Sequence, residues 1–428
     1  MRIRFYNARI LTMNGSCDLT EGELWTDGER IAYVGPAKGC EREKWDREID
    51  CRGNVLMPGF KNAHTHSGMT AMRSFADDMP LQEWLNTKIF PLEAKMTEQD
   101  NYDLTCLAIL EYLTTGVTSI FDMYLSPKDI ARACIDLGMR CVLVSGLNKF
   151  GPSVEEMERR YLSLNGMHPL ISYKMGVHAE YTCDKSLLEE VSALLHKYRV
   201  PFYAHMSETK LETEECIERY GMTPPQFFDS LGLFDFGGGI YHGVYLTEED
   251  MDLFAKKGIG VVTNPGSNTK LASGIAPVGR FLEKGLCVGV GTDGPSSNNC
   301  LDMFREMFLV TGLAKLLQKD ASAVDAHEVL KMATVNGAQI MGLPDADVLA
   351  EGKLADVIMI DLHQPNMQPL NNIAKNIVYS GSKQNVKMTM INGQILYYDG
   401  EFLNGVDAEA IYAKANEIIA RLAAEVEA

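Results

Sequence analysis

Positive charge is scarce in this 428-residue chain: 40 Lys and Arg stand against 58 Asp and Glu, a formal net charge of −18. A chain this acidic is not expected to hold nucleic acid through its phosphates. The surplus of acid bears on solubility and names no substrate. A run of about 18 apolar residues is also missing, so no membrane span is expected. Met1 to Phe5 lack the apolar core of about 7–15 residues that marks a secretory signal. The ten cysteines include no CxxC pair and no small disulfide framework. Reduced cysteines in a cytoplasmic protein are expected. Neither an internal repeat nor a low-complexity linker is found. The expected partner is a small-molecule substrate, with no nucleic acid and no membrane, and the reading leaves room for a homo-oligomer.

The length suits one large domain plus a smaller one. Near the amino end, Ile3 to Ile10, Glu23 to Thr26, Arg30 to Val34 and Glu48 to Cys51 read as short strands between turns. The pattern returns at Asp356 to Asp361. Two further runs, Lys387 to Ile391 and Gln394 to Tyr398, flank Asn392-Gly393, a strong hairpin signal. A small β-sandwich built from both termini is expected. It would comprise residues 1–57 and 346–405, with a barrel over 58–345 and a carboxyl-terminal surface helix over 406–428.

Between these ends strands and helices alternate. The expected barrel strands are Val55 to His66, Val117 to Asp122, Arg140 to Ser145, Leu170 to His178, Val200 to His205, Gly239 to His242, Gly258 to Asn264 and Leu286 to Asp293. Continuous apolar runs suit the buried strands of a parallel sheet. Eight of them in alternation with helices predict an α/β fold, a (β/α)8 barrel of about 250 residues. Expected helices include Asp100 to Thr115, Lys128 to Leu137, Lys185 to Tyr198, Glu248 to Lys257 and Ala326 to Met341.

His64 and His66 stand one residue apart at the end of the first run. In an extended chain they share a face and can reach one ion. His178, His205, His242 and Asp293 end later runs, and carboxyl ends of barrel strands ring an active site. His64, His66, His205 and Asp293 are assigned as ligands of one divalent ion, zinc in the first place and iron(II) in the second. A cation bound there lowers the pKa of its water from about 15.7 toward about 7. Asp293 has a second role, as acceptor of that water's proton. Glu208, three residues beyond His205, is placed to carry a proton to the leaving group. His242 would orient the water or relay a proton. His178 would be a ligand or a substrate contact. A two-metal site needs a lysine at the end of the fourth strand. His178 stands there instead, with Lys174 about 13 Å deeper at about 3.3 Å per residue.

The motifs PGFKNAHTH (Pro58 to His66), HMSE (His205 to Glu208), YHG (Tyr241 to Gly243) and GTDGPSSNN (Gly291 to Asn299) resemble those of the amidohydrolase superfamily over the whole chain. Within it the chain is most similar to the 5-methylthioadenosine/S-adenosylhomocysteine deaminases and the related chlorotriazine hydrolases. Met79 to Leu85 and Ile89 to Glu93 resemble their loop after the first strand. The resemblance implies that Glu93 binds the ribose hydroxyls, that His178 bonds a purine nitrogen, that Trp84 lines the pocket and that Ser297 sits on the substrate side. One segment departs. Relatives that hold a homocysteine tail carry arginines between the third and fourth strands. Here that segment reads Gly146 to Gly151 without one, and Arg159 and Arg160 follow in a helical stretch.

The expected activity is hydrolytic deamination of an adenine nucleoside, releasing ammonia. The alternatives are another amidohydrolase reaction, on a free base such as guanine or cytosine or on a triazine, and a barrel that binds metal or purine without turnover.

Overall fold

The computed structural model describes every residue except 16–18, 40–43 and 428. Eight parallel strands follow one another in chain order: Phe60–Thr65, Val117–Asp122, Arg140–Val144, Ile171–Gly176, Phe202–Met206, Gly238–His242, Ile259–Thr263 and Val288–Val290. Asp293 N donates to His64 O at 3.0 Å, which ties the eighth strand to the first. The predicted (β/α)8 barrel is thus the fold.

Inside the barrel Ala63, Phe121, Val142, Tyr203, Tyr241 and Val262 pack with Ile340 and Met341. The last two belong to the helical segment after the eighth strand and plug the amino-terminal end. Ile340 fits because the seventh strand is bare at Gly260, where a Cβ would lie 2.5 Å from Ile340 Cγ1. The predicted helix from Ala326 to Met341 is interrupted by a π-helical stretch at Met332–Asn336.

The expected strand from Val55 to His66 is two strands. Val55–Pro58 pairs with Val357–Ile360 in the terminal sheet, and Phe60–Thr65 enters the barrel. Gly59 makes the crossing possible, since a Cβ there would lie 2.0 Å from Thr118 Cγ2. Hydrogen bonds join nine strands from both ends of the chain into one mixed sheet. Leu24 and Ile31 from one side of that sheet share a core with Met388, Met390 and Ile395 from the other, so the sheet folds over on itself. Asn392 and Gly393 have φ values of 53° and 74°, the left-handed pair that a type I′ hairpin requires.

The terminal sheet docks beneath the barrel. Arg140, at the start of the third barrel strand, donates to both oxygens of Asp356 at 2.6 and 3.0 Å. Both side chains are buried. Burial alone would raise the Asp356 carboxyl; Arg140 holds it below its usual range. The tail helix Ala408–Glu427 lies elsewhere. Its Ala415, Ile418 and Leu422 pack with Met72, Trp84 and Leu92 of the segment after the first barrel strand.

Replacing Arg140 by Met is expected to cost about 3–5 kcal/mol at neutral pH, because it leaves a buried carboxylate without its cation. Asp356 has a depressed folded-state pKa, so its contribution is present above the unfolded pKa and lost as pH falls. The difference between wild type and variant should therefore shrink below about pH 4. Denaturation at matched scan rates across pH reads both effects.

Candidate metal centre and active site

Four side chains converge at the carboxyl end of the barrel. One ligand atom from each of His64, His66, His205 and Asp293 lies within 4.8 Å of every other. His64 Nε2 and His66 Nε2 stand 3.3 and 3.0 Å from Asp293 Oδ1, and His205 Nε2 is 3.4 Å from His66 Nε2. Among the described residues this is the one group of its kind.

The ring nitrogens on the far side are held by main chain. His66 Nδ1 meets Met123 O, and His205 Nδ1 donates to His178 O at 2.8 Å. Carbonyls only accept, so both rings carry their proton on Nδ1 and turn a lone pair toward the centre. His64 is fully buried, and neither ring nitrogen has a hydrogen-bond partner. Burial holds it down to about 3 and pulls His205 well below its usual value. Both are neutral imidazoles able to give a lone pair. Burial would raise Asp293, but His64 and His66 together bring it well below the carboxylate range. Three imidazoles, one of them the orphaned His64, and one carboxylate form a donor set that fits one divalent cation.

The other oxygen of Asp293 is occupied. Ser267 Oγ donates to Oδ2 at 2.6 Å and Ser297 Oγ at 2.8 Å. Ser297, expected on the substrate side, thus acts on Asp293 itself. Ser267 escaped the sequence reading, as did Asn268, whose Oδ1 accepts from His242 Nδ1 at 2.8 Å. Both lie in Asn264 to Lys270, a polar run at the carboxyl end of the seventh strand. That position was the available signal. Glu306 braces the same region, accepting from Gly266 N and Asn298 Nδ2, each at 2.8 Å.

Glu208 is buried with Ser273 Oγ donating to it at 3.4 Å, and its Oε2 lies 3.9 Å from His242 Nε2. That gap is too long for a hydrogen bond and lets both groups reach one intervening atom. Burial raises the Glu208 carboxyl. The His178 ring centre lies 4.8 Å from that of His205, and burial lowers it to about 4. Glu93 is partly buried next to Tyr124, whose ring centre is 6.1 Å from that of His66. Burial pushes Glu93 up to about 7 against the pull of Tyr124 and His66. Trp84, expected in the pocket lining, is 5% exposed and packs in the apolar cluster beneath the tail helix. Lys174 points to the opposite end of the barrel, where its Nζ would lie 3.0 Å from a Cβ at Gly342. Arg159 and Arg160 both pair with Glu156 on the helix Val154–Leu164.

The sequence pattern of the amidohydrolase family matches residues 55–396. The chain belongs to this family. A relative from Desulforamulus reducens named 5-methylthioadenosine/S-adenosylhomocysteine deaminase is 40% identical over 430 residues, covering 99% of each chain. A zinc-bound adenosine deaminase from Xanthomonas campestris superposes with a TM-score of 0.92 at 30% identity, covering 99% of this chain and 98% of that one. An Arthrobacter aurescens atrazine chlorohydrolase, at 22% identity and a TM-score of 0.89 over 97% and 100% of the two chains, shares the fold. In this amidohydrolase the four ligand atoms lie close enough together to share one divalent ion.

Losing both serines from Asp293 Oδ2 should loosen the centre. Supports of this kind are typically worth about 10–100-fold in metal affinity. The double variant Ser267→Ala/Ser297→Ala is expected to yield its ion to a chelator that much more readily, as competition titration would show. Unchanged affinity would mean that the hydroxyls do not fix the carboxylate.

Proposed function

We propose that this amidohydrolase is a zinc-dependent deaminase of adenine nucleosides, acting on 5-methylthioadenosine, S-adenosylhomocysteine or adenosine and releasing ammonia. One observation carries the reading: Glu208, with a raised carboxyl, faces His242 beside the His64, His66, His205 and Asp293 group. The names of the relatives support the substrate class.

His64, His66, His205 and Asp293 would hold a divalent cation, which when bound would lower the pKa of a water in the centre. The side chains do the rest. The new bond joins the water oxygen to the ring carbon that bears the amino group. Glu208 takes the first water proton and delivers it to the neighbouring ring nitrogen, so that it ends the step as it began. Asp293 takes the second water proton and passes it to the amino group, which leaves as ammonia. If that proton rests on Oδ2, one of the two serines turns and accepts from the new O–H, since a hydroxyl can donate or accept. His242, with its Nδ1 proton held by Asn268, offers Nε2 to orient the nucleophile. His178 and Glu93 would hold purine and ribose. A barrel that only binds metal or purine has no need of this proton-transfer set.

Glu208→Gln is expected to keep the metal and lose about 10²–10⁴-fold in kcat, the usual worth of a placed proton donor. A near-normal kcat with one bound ion per chain would move the role to another residue.

The activity itself is tested by ammonia release from adenosine, 5-methylthioadenosine, S-adenosylhomocysteine, guanine and cytosine with zinc-loaded protein. Nucleosides should be turned over and free bases should not. A buried carboxylate built for two hydroxyls is left unpaired when the ribose lacks one, so 2′-deoxyadenosine should be used less well than adenosine. Glu93→Ala should raise KM for the ribonucleoside and erase that preference. Equal kcat/KM for the two sugars in the wild type would take Glu93 out of the site and favour a free base or triazine.

A further inference from the structure

The fifth barrel strand delivers His205 and then breaks direction within two residues. Ser207 adopts φ of 53°, a left-handed conformation that non-glycine residues enter only when their surroundings hold them there. The turn leaves two consecutive amides without a strand partner. Both go to one side chain. Ser207 N donates to Glu212 Oε1 at 2.9 Å, and Glu208 N donates to Glu212 Oε2 at 2.8 Å. Glu212 sits in the first turn of the helix Lys210–Tyr220, which Thr209 caps by accepting from Glu212 N at 3.2 Å. It is 5% exposed. Residues 207 to 212 therefore close a ring, fixed at one end by a helix cap and at the other by a two-pronged carboxylate.

We infer that Glu212 is a positioning residue for proton transfer: its carboxylate holds the strained Ser207–Glu208 turn, and so aims the Glu208 side chain at the reacting ring. The inference deepens the deaminase reading and rests on the role given there to Glu208. The Glu212 carboxylate meets one amide with each oxygen. It offers an acceptor to each amide, whereas the isosteric glutamine sets an NH2 against one of two N–H donors. Metal ligation does not pass through Glu212, because His205 is oriented separately by His178 O.

The test is a double-mutant cycle on full-length zinc-loaded protein, with metal content and melting temperature measured in parallel. Glu212→Gln should lower kcat for adenosine about 10–100-fold, the scale of a misplacement near 1 Å. KM and the one-to-one metal content should stay close to wild type, and Glu212→Asp should recover part of the loss. In a Glu208→Gln background the same change should leave kcat almost unaltered, because residues acting as a unit are not additive. Equal losses in both backgrounds would overturn the inference, as would loss of metal with loss of rate. Should neither Glu212 variant fold, the carboxylate serves the fold at large and the inference also fails. A Glu208→Gln enzyme with near-normal kcat would remove the reading beneath it instead, a result that the cycle reports separately.

Discussion

The Asp293 carboxylate and its own peptide group hold the molecule together at the end where chemistry is expected. Its N–H closes the barrel onto His64 O, and its carbonyl accepts from Thr65 Oγ1 at 3.1 Å and from Thr292 Oγ1 at 3.0 Å. Its Oδ1 faces two imidazoles, and its Oδ2 takes two serine hydroxyls. Six residues from the first, seventh and eighth strands or their loops thus converge on one aspartate. A φ of 59° turns its side chain across the barrel axis. His242 and Ser207, at the ends of the sixth and fifth strands, share this left-handed geometry at 74° and 53°. Strain of this kind costs about 1–3 kcal/mol per residue and persists where neighbours over-determine it. Here the neighbours are identifiable: Asn268 for His242, Glu212 for Ser207, and the serine pair for Asp293.

Those partners explain what the sequence could and could not reveal. Spacing alone placed His64 and His66 together, and strand-end position added His205 and Asp293, because a barrel directs every carboxyl end to one place. The helices Lys185–Tyr198 and Glu248–Lys257 matched residue for residue, since each opens on a capping residue and carries one clear apolar stripe. The Asn392-Gly393 hairpin was legible because its turn chemistry is local. The break at Gly59 was not. Val55 to Thr65 is continuously buried on both sides of it, so a change of sheet leaves no trace in hydropathy. Ser267, Asn268 and Glu212 were missed for another reason. Their roles lie in bonds to residues brought near by folding, and a serine or glutamate in a loop carries no periodic signal of such a bond.

The two ends of the barrel show contrasting solutions to the same polarity problem. At the amino-terminal end, Lys61 is fully buried and donates to Gly59 O and Thr118 Oγ1 at 2.7 and 3.1 Å, while Arg140 is matched by Asp356. Both of these cations have direct acceptors. At the other end polar atoms are left open. Both nitrogens of His64, one oxygen of Asp122 and both polar side-chain atoms of Asn264 are buried without partners. Buried polar groups are rarely left unsatisfied without cause. The group of such atoms around His64, Asp122 and Asn264 marks the carboxyl end as one built to receive something.

Burial also divides the acids around that end into two kinds. Desolvation pushes Glu93 and Glu212 up to about 7 and Glu306 to about 8, and it raises Glu208. Asp293 alone among these five is driven down, because two imidazoles face it. The centre offers an ion three imidazole rings and one carboxylate, and a divalent cation so held would keep a net positive charge. That residual charge is what acidifies water and stabilises negative charge developing on a substrate. A second ionised carboxylate on the ion would cancel it. Keeping Glu208 off the ion and in an apolar wall leaves it able to carry a proton, so the separation of pKa values follows from the separation of roles.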